Sequence, residues 1–343
     1  MQSQKSGLTS GLENHKNKAP QKLSDTPLFS LSLWEKYYRT PILKDTYIHM
    51  LAYVFPGQGS QHIGMGMAMY DNNPEAKRLF DRADEILGFG LSKIIFDGTE
   101  EELKQTAVTQ PAVFVHSYIS AAILGSEEKP DMVAGHSLGE FTALAVAGAL
   151  SFEDAVRLVH MRAVAMQKAC AEAPSTMAAI IGLPDAEVEE ICANILDKLV
   201  IPANYNSPGQ VVISGSIDGV NEAMEEAKKA GAKRAIALKV SGAFHSPLME
   251  PARQELEQAI HQTHIQTPRC PIYQNVDAKP HTDPKEIENN LVKQLTAPVL
   301  WSQTVQRMIA DGADRFIEFG PGNTLQGLIR RIDREVRVEG REG

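Results

Sequence analysis

Apolar and polar positions divide the chain into two unlike parts. Residues 1–48, beginning MQSQKSGLTSGLENHKNKAPQKLSD, are polar and show no apolar period, so they cannot bury enough surface to fold alone. They read as an N-terminal extension, disordered or loosely docked through the aromatic patch FSLSLWEKYY, and Met50 is a second candidate start. From Leu51 short apolar runs alternate with amphipathic stretches of helical period. LAYVF predicts a strand ending at Pro56-Gly57, and NNPEAKRLFDRADEIL an amphipathic helix. TQPAVFVHSYISAAIL predicts a helix beginning near Gln110-Pro111, where proline suits a first turn. DMVAG predicts a strand, LGEFTALAVAGAL a helix, and SFEDAVRLVHMRAVAMQKACA a second helix with a capping-box-like start at Ser151 and Asp154.

Between about residues 174 and 240 the rhythm changes. MAAIIGL, DAEVEEICANI, LVIPANYN, QVVISG, DGVNEAMEEAKKAG and KRAIALKV run strand, helix, strand, strand, helix, strand, with a hairpin at Ser207-Pro208-Gly209. That order is the ferredoxin-like one. The chain then returns through a helix near PLMEPARQELEQAI, a strand at PIYQNV, a helix at APVLWSQTVQRMIADG, a strand at RFIEFG and a last helix at NTLQGLIRRI. The expected fold is α/β. Residues 49–173 and 241–343 form a discontinuous, α/β-hydrolase-like domain with a parallel-sheet core, and 174–240 an inserted ferredoxin-like subdomain.

Composition narrows the function. With 343 residues, 43% of them hydrophobic, the chain can bury one or two substantial cores. A net charge of −9 and the lack of a basic stripe with interleaved aromatics argue against nucleic acid. No run of eighteen apolar residues offers a membrane span. Three scattered cysteines, Cys170, Cys192 and Cys270, read as reduced thiols of a cytoplasmic protein. His261 and His264 lack a third ligand nearby, so no metal is expected.

The chemistry gathers around Gly135-His136-Ser137-Leu138-Gly139, a G-x-S-x-G motif with a predicted strand before it and a helix after. A sharp turn there exposes the Ser137 hydroxyl and turns the Leu138 N–H toward the same space. A serine needs a base. His245, in SGAFHSP, follows a predicted strand and precedes a helix, and is the best candidate. His136 is expected to point away, and His116 and His160 fall within helices. A second glycine-rich loop, Phe55-Pro56-Gly57-Gln58-Gly59-Ser60-Gln61, lacks the third glycine of a dinucleotide fingerprint. It reads better as an oxyanion loop, with the Gln58 amide as second donor beside Leu138.

FPGQGSQ, TQPA, GHSLGE, MRAVAMQ, GAFHS, QNV, QLTAPVLW and EFGPGNTL follow one another in this order over about residues 50–335. Together they resemble the malonyl-CoA:acyl carrier protein transacylases. The resemblance implies a Ser137–His245 dyad, with the histidine oriented by a main-chain carbonyl at Gln294. It implies oxyanion amides at Gln58 and Leu138, and Arg162 gripping the malonyl carboxylate. It places Gln110 and Asn275 as polar residues near the site. A guanidinium fork suits a carboxylate. The implied reaction is ping-pong transfer of malonyl from malonyl-CoA to the phosphopantetheine thiol of acyl carrier protein, for fatty acid synthesis, with no cofactor and a monomeric enzyme. Nothing in the family matches the N-terminal extension. Lys233, Arg234, Lys239, Arg330 and Arg331 are candidate docking cations for an acidic carrier. Three other readings stand beside this one: a serine thioesterase or hydrolase, a transferase serving a polyketide synthase, and a carrier-binding module without activity.

Overall fold

In the computed structural model, which describes residues 49–343, ten strands build two sheets. The strands are β1 (Met50–Phe55), β2 (Met132–Gly135), β3 (Ser175–Ile181), β4 (Val200–Ser207), β5 (Gln210–Ser216), β6 (Arg234–Ala237), β7 (Ile272–Tyr273), β8 (Pro280–His281), β9 (Ala313–Phe319) and β10 (Arg337–Arg341). The predictions for residues 1–48 lie outside the described residues. The larger sheet has the order β10-β9-β1-β2-β7-β8 and is parallel except for the β7–β8 pair. Strands β1 and β2 are apolar on both faces, as parallel strands covered on both sides must be. Along β1 the side chains alternate. Tyr53 and Phe55 pack with the helices Thr106–Leu124, Gly139–Val146 and Phe152–Glu172, while Ala52 and Val54 pack with Trp301, Phe316 and Leu325. Helix Thr106–Leu124 is long and apolar enough to cross a membrane, and 67% of its most apolar window is buried inside the protein.

The smaller sheet is wholly antiparallel, in the order β4-β5-β3-β6. Ala178, Ile180, Val211 and Ile213 pack on one side with Val188, Cys192, Val220 and Ala223 of the helices Asp185–Asn194 and Ile217–Lys229. Met177 and Val212, of opposite parity, help line the main cavity. Strand β4 is stitched to the segment before helix Trp301–Ala310. The Tyr205 N–H donates to the Val299 carbonyl at 2.9 Å, and the Val299 N–H to the Ala203 carbonyl at 2.8 Å.

Three elements differ from the sequence reading. The helix expected to open at Gln110-Pro111 opens at Thr106 and carries Pro111 inside. Its extra turn is secured from outside, because Gln167 Oε1 accepts the Ala107 N–H at 3.0 Å. The strand expected over PIYQNV stops after Tyr273. Gln274 and Asn275 leave the ladder because their polar groups are used elsewhere, as described below. The strand at KRAIALKV ends at Ala237, and Leu238, Lys239 and Val240 turn to line the cavity. The Ser151 cap forms as expected, its hydroxyl accepting the Asp154 N–H at 3.0 Å.

Candidate active site

The elbow is built by close approach. A Cβ on Gly135 would lie 1.9 Å from the Gly139 carbonyl carbon, and one on Gly139 would lie 2.1 Å from the Phe55 carbonyl oxygen. Only glycine permits strand β2 to turn straight into helix Gly139–Val146 against β1. Ser137 between them has φ 51°, a left-handed conformation that costs a non-glycine residue on the order of 1–3 kcal/mol. Gly135→Ala is expected to prevent the elbow from closing. The measurable result is loss of soluble protein, or a melting temperature lowered by several degrees with no Ser137 reactivity. An unchanged melting temperature would show that the backbone relaxes.

His245 also has positive φ, at 57°, and sits 3% exposed in the loop after β6. Its Nδ1 lies 2.9 Å from the Gln294 carbonyl oxygen and 3.2 Å from that of Ala297. Carbonyls only accept, so Nδ1 carries the proton and Nε2 presents its lone pair. Ser137 Oγ lies 2.7 Å from that Nε2 and donates to it. Burial, reinforced by the nearby Arg162 charge, lowers the His245 pKa to about 3, so the resting imidazole is neutral.

Arg162 projects from helix Phe152–Glu172 into the same space and is 1% exposed. Its Nη1 donates to Gln110 Oε1 at 2.6 Å, and its Nη2 to Ser137 Oγ at 3.0 Å and to Gln294 Oε1 at 3.2 Å. Burial lowers its pKa to about 10, with Glu140 opposing the shift, so it remains cationic at neutral pH. None of these three partners is a carboxylate. A buried cation whose hydrogen-bond partners are all neutral, with Glu140 acting on it only through space, is suited to pair with an anionic ligand.

Gln294 does more than lend its carbonyl, because its Nε2 donates to the Ser137 carbonyl at 3.0 Å. Asn275 Oδ1 accepts the Ser137 N–H at 2.7 Å, and its Nδ2 donates to the Gly135 carbonyl at 2.7 Å. The Ser137 amide is therefore occupied. The next amide along the elbow, that of Leu138, belongs to a residue that lines the main cavity, as does Gln58. This cavity of about 400 Å³ is also lined by Ser137, Arg162, His245, Met166 and Phe244, with Asn204, Asn206 and Val212 from the smaller sheet. His136 points away from Ser137, as expected. The residue borders the cavity, and its Nε2 lies 2.8 Å from Asn206 Oδ1.

Sequence reasoning passed over Glu140 and Gln274, both fully buried beneath the elbow. Glu140 is the last letter of GHSLGE, and a carboxylate in the first turn of an apolar helix was the available signal. Of the docking cations, Lys239 lines the main cavity, while Lys233, Arg234 and Arg331 line a neighbouring one. Among the described residues, no three His, Cys, Asp or Glu side chains are grouped to hold a metal ion.

Residues 52–339 match the acyl transferase domain family. The chain is 44% identical over 291 residues to the malonyl CoA-acyl carrier protein transacylase of Bacillus subtilis strain 168, covering 84% of this chain and 92% of that one. The chain is a member of the malonyl CoA-acyl carrier protein transacylase family. The solved transacylase of Coxiella burnetii superposes with a TM-score of 0.83 at 42% identity, covering 86% of this chain and 94% of that one. A malonyl-transacylase solved in complex with its type II polyketide synthase acyl-carrier protein gives 0.81 at 38% identity, covering 85% and 94%. In this member of the family, the elbow, the imidazole and the buried guanidinium meet at one oxygen atom, Ser137 Oγ.

Proposed function

We propose that the chain transfers malonyl from malonyl-CoA to the phosphopantetheine thiol of acyl carrier protein by way of malonyl-Ser137. The observation that carries this reading is the placement of Ser137 Oγ between His245 Nε2 and Arg162 Nη2. Ser137 attacks the thioester carbon while its proton passes to His245 Nε2. The Gln58 and Leu138 amides receive the oxyanion. The carbon–sulfur bond breaks, and the CoA thiolate takes the proton from His245. In the second half the carrier thiol attacks the ester, His245 accepts the thiol proton, and that proton returns to Ser137 Oγ as the ester bond breaks. The mechanism calls for no metal or cofactor.

Arg162 gives the malonyl carboxylate a role beyond binding. Burial first, and the guanidinium field second, hold the His245 pKa down. A carboxylate paired with Arg162 cancels that field, and the imidazole becomes a better base when the dicarboxylic acyl group is in place. Gln110, Gln294 and Asn275 hold this geometry.

The strand order β4-β5-β3-β6, with two helices on one face, supports a ferredoxin-like reading of residues 174–240. The parallel sheet and elbow support an α/β-hydrolase-like core formed by 49–173 and 241–343. Lys239, Lys233, Arg234 and Arg331 around the two cavities favour an acidic carrier, whereas Arg330 lines neither cavity and donates to the Val338 carbonyl. The enzyme is taken as a cytoplasmic monomer serving fatty acid synthesis, with no nucleic acid or membrane partner. Likeness to a polyketide synthase's malonyl-transacylase supports a second reading, service to a polyketide assembly line.

The test is intact-protein mass spectrometry after brief mixing with malonyl-CoA, followed by phosphopantetheinylated carrier protein. The expected result is a malonyl adduct that the carrier discharges, gaining malonyl itself. Release of free malonate without loading of the carrier would make the protein a hydrolase. Neither adduct nor turnover would leave a carrier-binding module.

A further inference from the structure

The acyl-transfer chemistry above makes no use of one buried ionisable group beneath the elbow. Glu140 lies in the first turn of helix Gly139–Val146 and is fully buried. Its Oε2 accepts the backbone N–H of Asn275 at 2.7 Å, and its Oε1 accepts from Gln274 Nε2 at 3.1 Å. Asn275 in turn spans the elbow, accepting from Ser137 N and donating to the Gly135 carbonyl. The elbow backbone that φ 51° strains is therefore clamped by a side chain whose own backbone is tied to this carboxylate.

We propose that Glu140 is a positioning residue for acylation, its carboxylate holding Asn275 and, through Asn275, the strained backbone of Ser137, so that Leu138 and not Ser137 supplies the elbow's oxyanion amide. The inference rests on the reading of Ser137 as the acylated residue. Two properties follow from the surroundings of Glu140. The groups at its two oxygens are both donors, from the segment after β7. The charge that acts on it is Arg162 on helix Phe152–Glu172, and Gln294 faces it from the end of helix Pro284–Lys293. Burial raises its pKa to about 7, opposed by these donors and by Arg162. A protonated Glu140 would turn its one hydroxyl hydrogen toward one of the two donors and leave the other oxygen a weaker, uncharged acceptor, which loosens the clamp. Acylation therefore follows the ionised fraction and falls as pH drops below neutrality. Burial and then the Arg162 charge push the His245 titration down, away from neutrality, and a limb that belonged to His245 would persist in Glu140→Gln.

The experiment is the pH dependence of malonyl adduct formation, read as kcat/KM to report the free enzyme, on wild type, Glu140→Gln and Gln274→Met. For wild type we expect an acid limb near pH 7. In Glu140→Gln the limb is absent, and the rate at pH 8 is on the order of 10- to 100-fold lower through kcat, with KM for malonyl-CoA within about twofold. In Gln274→Met the carboxylate loses one donor, and the limb moves up by roughly one pH unit or less. Gln274→Met keeps the question open to measurement if Glu140→Gln does not fold. A limb that persists in Glu140→Gln, a limb that stays put in Gln274→Met, or a wild type without one each overturns the proposal. A variant that melts earlier but keeps wild-type kcat would reduce Glu140 to a structural residue and overturn it too. A wild type that forms no adduct at all fails the Ser137 reading itself, and this proposal with it.

Discussion

Ser137→Ala is expected to abolish the malonyl adduct and to lower transfer to the carrier by ~10⁴-fold or more, with His245→Ala close behind and the double variant no slower than the worse single one. The reason is that the two residues act as one unit. Ser137 Oγ–H donates to His245 Nε2 across 2.7 Å, and neither atom has a partner in the chemistry without the other. Ser137→Ala leaves the backbone argument untouched, because position 137 is already a non-glycine residue at φ 51°. Melting temperature is therefore a fair control and should stay within a few degrees of wild type. Residual turnover in each variant would measure what binding and the proposed oxyanion amides of Gln58 and Leu138 contribute without the dyad. If the losses in the two single variants instead multiplied in the double variant, serine and histidine would be acting independently, and the dyad would be wrong.

What could be read from the sequence was what is decided locally. The elbow needs two glycines four residues apart, a preceding apolar strand and a following helix of small residues, and all of these lie within about fifteen consecutive positions. Ser137 and Leu138 were therefore legible, and Gln58 followed from a second local glycine loop. His245 could be ranked by its place after a strand, but the carbonyls that fix its tautomer come from residues 294 and 297, far along the chain. Arg162 sits on a helix like any surface arginine, and only burial separates it from one. Its role came from the resemblance to a family. Helix Thr106–Leu124 was misplaced by a turn because its cap is the side chain of Gln167, a tertiary contact that no local pattern contains. Glu140 and Gln274 were missed for the same reason. A glutamate in the first turn of a helix is usually a solvated residue favoured by the helix dipole. The apolar helix that follows it hints at burial, but nothing near it in sequence reveals that its carboxylate is tied to a loop beyond residue 270.

Arg162→Ala is expected to collapse the preference for malonyl over acetyl groups, and not merely to slow the enzyme. A carboxylate held by two charge-assisted hydrogen bonds is worth ~3–6 kcal/mol, at about 1.5–3 kcal/mol each, so malonyl acylation should fall roughly 10²- to 10⁴-fold. Acetyl acylation should hold or rise, for two reasons. An acetyl group leaves the guanidinium unpaired in a dry cavity, and deleting Arg162 removes that penalty. It also removes the lesser of the two effects that depress His245, burial being the larger, which leaves a somewhat better base. Arg162→Lys should fall between, since an ammonium supplies the charge without the fork. Adduct formation with malonyl-CoA and acetyl-CoA, followed side by side on the three proteins, decides the matter. Because Arg162 Nη2 also donates to Ser137 Oγ, the rival role is to hold the nucleophile. That role would slow both acyl groups equally in Arg162→Ala. Equal losses would make the arginine a support for Ser137, whereas opposite shifts would make it the group that reads the carboxylate.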